Sequence, residues 1–280
     1  MSRPALTGTL FVVATPIGNL SDASPRALEV LRGAHIVACE DTRTTRTLLA
    51  RHGISAATTA LHQHNEGAAA AKLVDALRAG KSVALVSDAG TPALSDPGAL
   101  LVAQAHRAGI RVSPIPGPSA AAAALSAAGF PAGAFFFAGF LPASPAARRK
   151  ALGRLDLPVP VVLYEAPHRI AETLEDLAAR FGSAREVLVG RELTKKFEEV
   201  ARMPLGETRA WLAASPERER GEFVLVLAPG EPREGPALDA DKVLAVLAEA
   251  LPPSEAARLA AKITGVAKRD LYRKTLRAPK

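Results

Sequence analysis

The segment Asp88-Ala89-Gly90-Thr91-Pro92-Ala93-Leu94-Ser95-Asp96-Pro97-Gly98 sets two aspartates around a glycine turn, directly after the apolar run Ser82–Ser87. Carboxylates beside a residue without a Cβ can meet the polar edge of a ligand at close range. Turns of this composition also arise for purely structural reasons. Thr15-Pro16-Ile17-Gly18-Asn19 follows an earlier apolar run, at the place of a phosphate-binding loop. It has neither the G-x-G-x-x-G spacing nor a Walker lysine, which argues against a nicotinamide or ATP site. His62-x-His64 puts two imidazoles on one strand face, but no further Cys or His follows at ligand spacing. A hydrogen-bonding or substrate role is therefore the better reading, and no metal is expected. Lys195-Lys196 near Glu198-Glu199, and Arg148-Arg149-Lys150, read as solvated charged faces. No Ser-His-Asp order with a nucleophile elbow is present, which disfavours a hydrolase.

The elements that would position these residues alternate. Apolar runs at Thr9–Ala14, His35–Cys39, Thr58–Leu61, Ser82–Ser87 and Arg111–Ile115 read as strands. Helical patterns separate them: one from Ser24-Pro25 to Gly33, then Thr45–His52, Gly67–Arg78, Ala99–Arg107 and Pro118–Ala128. Such alternation predicts a mostly parallel sheet covered on both faces, with ligands bound beyond the carboxyl ends of its strands. The loops there are rich in Gly, Pro and small polar residues, whereas the opposite loops read as plain helix stops. A second α/β unit begins near Phe140, with strands at Val159–Glu165, Glu186–Gly190, Phe197–Arg202 and Glu222–Ala228. Helices at Pro145–Leu155, Ile170–Arg180 and Leu205–Ala213 lie between them. Pro229-Gly230-Glu231-Pro232 then reads as a linker to three short helices, Ala240–Leu251, Ser254–Thr264 (with Ser254 as N-cap) and Ala267–Leu276. The expected division is 1–140, 141–230 and 231–280.

Composition narrows the class. The chain has 280 residues, 48% hydrophobic and 22% charged, ordinary for a globular protein with its own core. Its single cysteine, Cys39, forms no internal disulfide, and no secretory leader is evident, so a reducing, cytoplasmic setting is expected. Val112–Ala147 carries no charge, but Gly129, Pro131 and Gly133 interrupt it. That favours a buried helix followed by a buried strand over a membrane span. The net charge of +7 is localised: Arg258–Lys280 holds eight basic residues against Asp270 alone. A basic segment on a neutral body suggests a polyanionic partner. Within it, helix–Gly265–helix is a weak outline of a helix-turn-helix.

Taken in order, LFVVATPIGNLSD, CEDTRTTRTLL, HQHNE, ALVSDAGTPALSDPG, PIPGPSA, FAGFLP, YEAPHR and GRELTKKFEE resemble the tetrapyrrole methylase superfamily. Within it they are similar to the bacterial 16S rRNA 2′-O-ribose cytidine methyltransferases, over nearly the whole chain. HQHNE and YEAPHR depart slightly from the usual HEHNE and YESPHR. The resemblance implies two α/β domains with an S-adenosylmethionine cleft between them, plus a small C-terminal helical appendage. It implies a cytoplasmic homodimer acting on a decoding-centre cytidine in the small ribosomal subunit, without a membrane or a metal. Motif by motif, it places Pro16, Asp88, Gly90, Thr91, Pro92, Ser119, Ala120, Tyr164 and Leu193 at the cofactor. Transfer of a methyl group to a ribose hydroxyl requires alignment and a group to ease loss of the proton. Glu198 is the expected acceptor and Lys195 the charge beside the forming alkoxide. Arg43, His168, Arg169 and Arg191, with Arg269 and Arg273 of the tail, are expected on RNA. A small-molecule methyltransferase and a non-catalytic RNA-binding assembly factor remain alternatives at this point.

Overall fold

A computed structural model describes residues 8–62, 65–231 and 239–275. Thr9–Val13 (β1), Ile36–Cys39 (β2), Thr58–Ala60 (β3), Val83–Leu85 (β4) and Arg111–Ile115 (β5) form one sheet. Its order is β3-β2-β4-β1-β5, and every pair is parallel. Pro25–Gly33 (α1), Thr42–Arg51 (α2), Glu66–Arg78 (α3) and Ala99–Arg107 (α4) cover it. Alternate strand residues face opposite ways, so both faces are buried. Leu10 packs with Leu73, Leu77 and Leu101 of α3 and α4, whereas Phe11 and Val13 pack with Val30, Leu31, Leu48 and Leu49 of α1 and α2. Ser24 caps α1 ahead of Pro25, as the sequence suggests. Helix α2 begins three residues before the expected Thr45, because Asp41 caps it by accepting the Arg43 N–H at 2.7 Å. Strands β4, β1 and β5 are adjacent and parallel, so their carboxyl-end loops emerge side by side at one edge.

The second sheet is mixed. Phe136–Phe140 (β6), Val161–Glu165 (β7), Glu186–Arg191 (β8), Glu199–Pro204 (β9) and Phe223–Leu227 (β10) run in the order β6-β7-β10-β8-β9. Only β6–β7 is parallel. Pro145–Leu152 (α6), Ile170–Phe181 (α7) and Thr208–Ala213 (α8) bury Leu152, Leu174, Leu177 and Leu212 on one face. The other face is closed by Ala120–Ala128 (α5), whose Ala121, Ala124 and Ala128, with Phe130, pack on Val162, Leu188, Val224 and Val226. Material of the second sheet therefore starts ahead of residue 140. The described residues up to Pro229 form one compact unit holding both sheets, and those from Gly230 onward form another.

Two expectations are corrected here. The strand following the alanine-rich helix is not buried: β6 is an edge strand, with Phe136 and Phe140 exposed on it. Arg148 is not on a solvated face: it is 2% exposed, donating from Nε to Asp176 (2.7 Å) and from Nη2 to Glu172 (3.0 Å). The cause is α7, whose two acids lie one turn apart and face α6 together.

In the C-terminal unit, Ala240–Ala250 (α9), Pro253–Thr264 (α10) and Lys268–Thr275 (α11) enclose Leu244, Ala256, Ala257, Ala260 and Leu271. The expected cap at Ser254 is replaced by Pro252, with Pro253 opening the helix. Gly265, at φ +73°, ends α10 in the left-handed region that glycine tolerates. Ile263 falls outside this core and is half exposed, and Leu276 lies outside the described residues. Lys274 bonds to Asp241 at 2.6 Å, whereas Arg269 and Arg273 are exposed. No described helix is long and apolar enough to cross a membrane.

Candidate active site

The loops after β1, β4 and β5 meet the second sheet around a cavity of about 430 Å³. Asp88, Gly90, Thr91 and Asp96 line it from the first sheet, and Ser119 and Ala120 from the start of α5. Tyr164, Gly190, Leu193 and Val224 line it from the second. The β4 loop is fastened to β1: Thr15 and Gly90 exchange backbone hydrogen bonds of 2.9 and 3.1 Å, and Thr15 Oγ1 donates to the Ser87 carbonyl at 3.1 Å. Thr91 Oγ1 donates to the Pro118 carbonyl at 3.2 Å, tying the β4 and β5 loops together. Tyr164 Oη accepts the Ala121 N–H at 3.2 Å, and its ring stands edge-on to Phe137 and Phe140. Gly90 holds φ +83° at the cavity wall, a conformation costly for any side chain.

Backbone strain concentrates at this place. Ala93 and Ser95 (φ +65° and +66°) lie in the β4 loop, and Glu192 and Thr194 (φ +50° and +67°) in the loop after β8. Among the described residues these are the non-glycine positions with positive φ, and both loops border the cavity.

The cavity is acidic. Burial, with repulsion from Glu40 and then Asp88 outweighing a Ser87 hydrogen bond, pushes the Asp96 carboxyl up to about 6. A carboxylate so placed can accept a proton near neutral pH. Asp88 Oδ1 also accepts the Asp41 N–H at 3.0 Å, which ties the β2 loop into the group. The resemblance assigns no role to Asp96, although its SDPG turn stands out in the sequence, as does Asp88 in the same loop. Glu40, which crowds it more, comes from the β2 loop.

Other expected residues lie elsewhere. Pro16 lines a neighbouring recess of about 250 Å³ with Thr44, Thr45 and Asp88, and Pro92 is buried behind the cavity wall. Lys195 stands outside the cavity, bonding to Glu192 (2.8 Å) and Glu222 (2.9 Å). Burial favours loss of its proton, but the two glutamates prevail and raise its pKa, so it remains an ammonium. Glu198 also lies outside, exposed, and accepts the Thr194 N–H. Arg169 turns inward to Glu165 and to the Leu141 carbonyl, and Arg191 is buried against the carbonyls of Arg220 and Phe197. Both guanidiniums hold the fold, in place of the expected RNA contacts, because buried strand ends and loops leave carbonyls that need donors. His168 is exposed beside Pro167, and Arg43 is exposed and paired with Asp41 at 2.7 Å. His64 lies outside the described residues, and among those described no group of three candidate metal ligands occurs.

Gly18 joins the two halves of the site. A Cβ there would lie 2.4 Å from Lys195 Cγ, 2.9 Å from Thr194 Oγ1 and 3.1 Å from the Leu193 carbonyl oxygen. Gly18→Ala is expected to displace the loop after β8, cost about 1–3 kcal/mol and weaken cofactor binding. Calorimetry and thermal melts on one preparation check this, and unchanged values in both would remove the contact from the site.

Residues 9–209 match the family model of Tetrapyrrole (Corrin/Porphyrin) Methylases. The chain belongs to the tetrapyrrole methylase family. Residues 234–278 match the model "RsmI C-terminal HTH domain", in line with the helix–Gly–helix outline. The chain is 50% identical over 274 residues to the ribosomal RNA small subunit methyltransferase I of Xylella fastidiosa, spanning 97% of this chain and 99% of that protein. The Pseudomonas aeruginosa protein of the same name is 48% identical over 96% of this chain and 97% of its own length. Among solved structures, the methyltransferase CobJ aligns with a TM-score of 0.59 at 22% identity, over 82% of this chain and 98% of that one. Uroporphyrin-III-C-methyltransferase from Thermus thermophilus aligns with a TM-score of 0.56 at 23% identity, over 79% and 94%. At those identities the two structures speak for the fold.

This tetrapyrrole methylase is an S-adenosylmethionine-dependent methyltransferase, and the cavity suits that cofactor chemically. S-adenosylmethionine is cationic at sulfur and at its amino group, and Asp88, Asp96 and Glu222 present carboxylates to the space. Phe140, Tyr164, Leu193 and Val224 supply an apolar wall for a flat heterocycle. Gly190 keeps that wall open, since a Cβ there would come within 3.0 Å of Val224 Cγ1 and 3.2 Å of Leu193 Cδ2.

Proposed function

We propose that this chain methylates the ribose 2′-hydroxyl of a decoding-centre cytidine in 16S ribosomal RNA, as a cytoplasmic homodimer. The observation that carries the reading is near-half identity, across both units, to proteins named ribosomal RNA small subunit methyltransferase I. Of the expected cofactor residues, Asp88, Gly90, Thr91, Ser119, Ala120, Tyr164 and Leu193 line one cavity, and Pro16 and Pro92 do not; the shared lining of the seven supports the reading. When bound there, S-adenosylmethionine supplies an electrophilic methyl group. In this reading Asp96 takes the hydroxyl proton, a part the sequence suggested for Glu198; its position in the cavity lining and its raised pKa support the assignment. Lys195, through Glu192 and Glu222, positions the loop beside it.

Small-subunit particles incubated with the protein and labelled cofactor, then digested and mapped by mass, test the reading. One added methyl on a cytidine ribose is expected. Label appearing only on a small molecule, or on a base, overturns it.

Deletion of the residues after Gly230 is expected to spare cofactor binding, because the cavity lies wholly within the first unit. It should weaken RNA binding by about tenfold or more near 0.1 M salt and flatten its salt dependence, because the basic residues concentrated there release counterions from phosphates. Filter binding across a salt series checks this. An unchanged slope would leave the appendage without an RNA role.

A further inference from the structure

A second hollow, of about 820 Å³ and opposite in character, lies against the cavity. The two share their walls. Ile17 lines the cavity and Gly18 the groove; Leu193 lines the cavity and Thr194 to Lys196 the groove. Arg51, His52, Lys195 and Lys196 face the groove with Asn19 and Ser21, and no carboxylate is among its lining residues. Lys195 is committed to Glu192 and Glu222, which leaves two cations for a ligand. Arg51, at the end of α2, is exposed and has no ion-pair partner among the described residues. Lys196 is exposed, with Nζ 5.4 Å from the centroid of the Phe197 ring. Phe197 is itself 66% exposed, unusual for an aromatic side chain with no evident packing role.

Two cations without a carboxylate partner among the described residues, and an exposed aromatic ring that one of them overlies, match one kind of ligand beside a polar groove. Phosphates need the cations, and an unstacked base needs the ring. Resting on the methyltransferase reading above, we propose that this groove holds the RNA strand next to the target nucleotide, with Arg51 and Lys196 on its phosphates and Phe197 stacked on an unpaired base. The arrangement keeps opposite charges in separate hollows. A cationic cofactor meets the carboxylates of the cavity, and the polyanion meets the groove across a shared wall.

The proposal is tested by direct binding of the full-length protein to a fluorescently labelled single-stranded ribo-oligonucleotide that carries the methylated sequence, over a salt series. Cofactor affinity is measured in parallel by calorimetry. The double variant Arg51→Ala with Lys196→Ala should weaken binding and lower the salt slope by about 1.4, from about 0.7 per phosphate on a single strand. Phe197→Ala should weaken binding by about tenfold with the slope unchanged, because stacking releases no counterions. Cofactor affinity should stay at the wild-type value in both. If both variants bind RNA as the wild type does, the groove is not the RNA site, and the methyltransferase reading stands on its mass mapping. If the wild type binds no RNA, the proposal is wrong, and the methyltransferase reading is decided separately by the mass mapping of small-subunit particles. If Phe197→Ala leaves RNA affinity intact but dissociates a dimer in sedimentation, the ring serves a contact between copies and the proposal is wrong.

Discussion

Asp96→Asn is expected to cut methyl transfer by about 10²–10⁴-fold, the usual contribution of a positioned proton acceptor, while making the protein more stable near neutral pH. The carboxyl titrates at about 6 in the folded chain, against an ordinary value of 3.8. An acid whose folded pKa is raised binds more protons folded than unfolded between those values, so its ionisation opposes folding as pH climbs through that window. Asparagine keeps the shape and removes the charge. The full shift corresponds to about 3 kcal/mol, which partial exposure reduces to about 1–2 kcal/mol. Melting at pH 3 and pH 8 should show the gain only at the higher pH, with about half of it already present at pH 5. The wild-type rate should rise with pH through about 6, as the acceptor loses its own proton. Turnover in Asp96→Asn within a few-fold of wild type would return the proton to another group.

Glu165→Ala should be the most destabilising single change at the site. The carboxylate is fully buried, accepting the Ala166 N–H (2.7 Å), Arg169 Nε and Nη2 (2.8 and 3.0 Å) and Thr173 Oγ1 (2.6 Å). Removing it strands a guanidinium that is itself nearly buried, a change that costs about 3–5 kcal/mol out of a typical total of about 5–15 kcal/mol. Cofactor binding should fall with it, since Tyr164, Ala166 and Pro167, its neighbours in the chain, line the cavity. Chemical denaturation gives the stability and calorimetry the affinity. A midpoint shift worth less than about 1 kcal/mol would show that Arg169 finds other acceptors.

The parts of this site legible in the sequence are those encoded locally. Apolar runs ended by glycine- and proline-rich loops marked the strands and the sheet edge that binds ligand, and the TPIGN and SDAGTP turns both reach the place where the two sheets meet. What stayed hidden depends on distant neighbours. Arg148 reads as solvated until α7 supplies Glu172 and Asp176. Arg169 and Arg191 read as phosphate ligands until Glu165 and two backbone carbonyls claim them. Charge counting located the basic tail and left the rest of the chain neutral overall. It could not show that this neutral part is polarised, with acids gathered in one hollow and bases in the next.

Helix α5 has a consequence for how the molecule is made. It follows the last strand of the first sheet, yet its alanines seal a face of the second. A chain severed after residue 140 would leave Val162, Leu188, Val224 and Val226 bare on one fragment and an orphaned apolar helix on the other. Neither fragment would be expected to remain monomeric, and mixing them should restore a folded protein only by docking α5 back onto its sheet. The two sheets are thus expected to unfold in a single transition, with the cavity between them present only while both are folded.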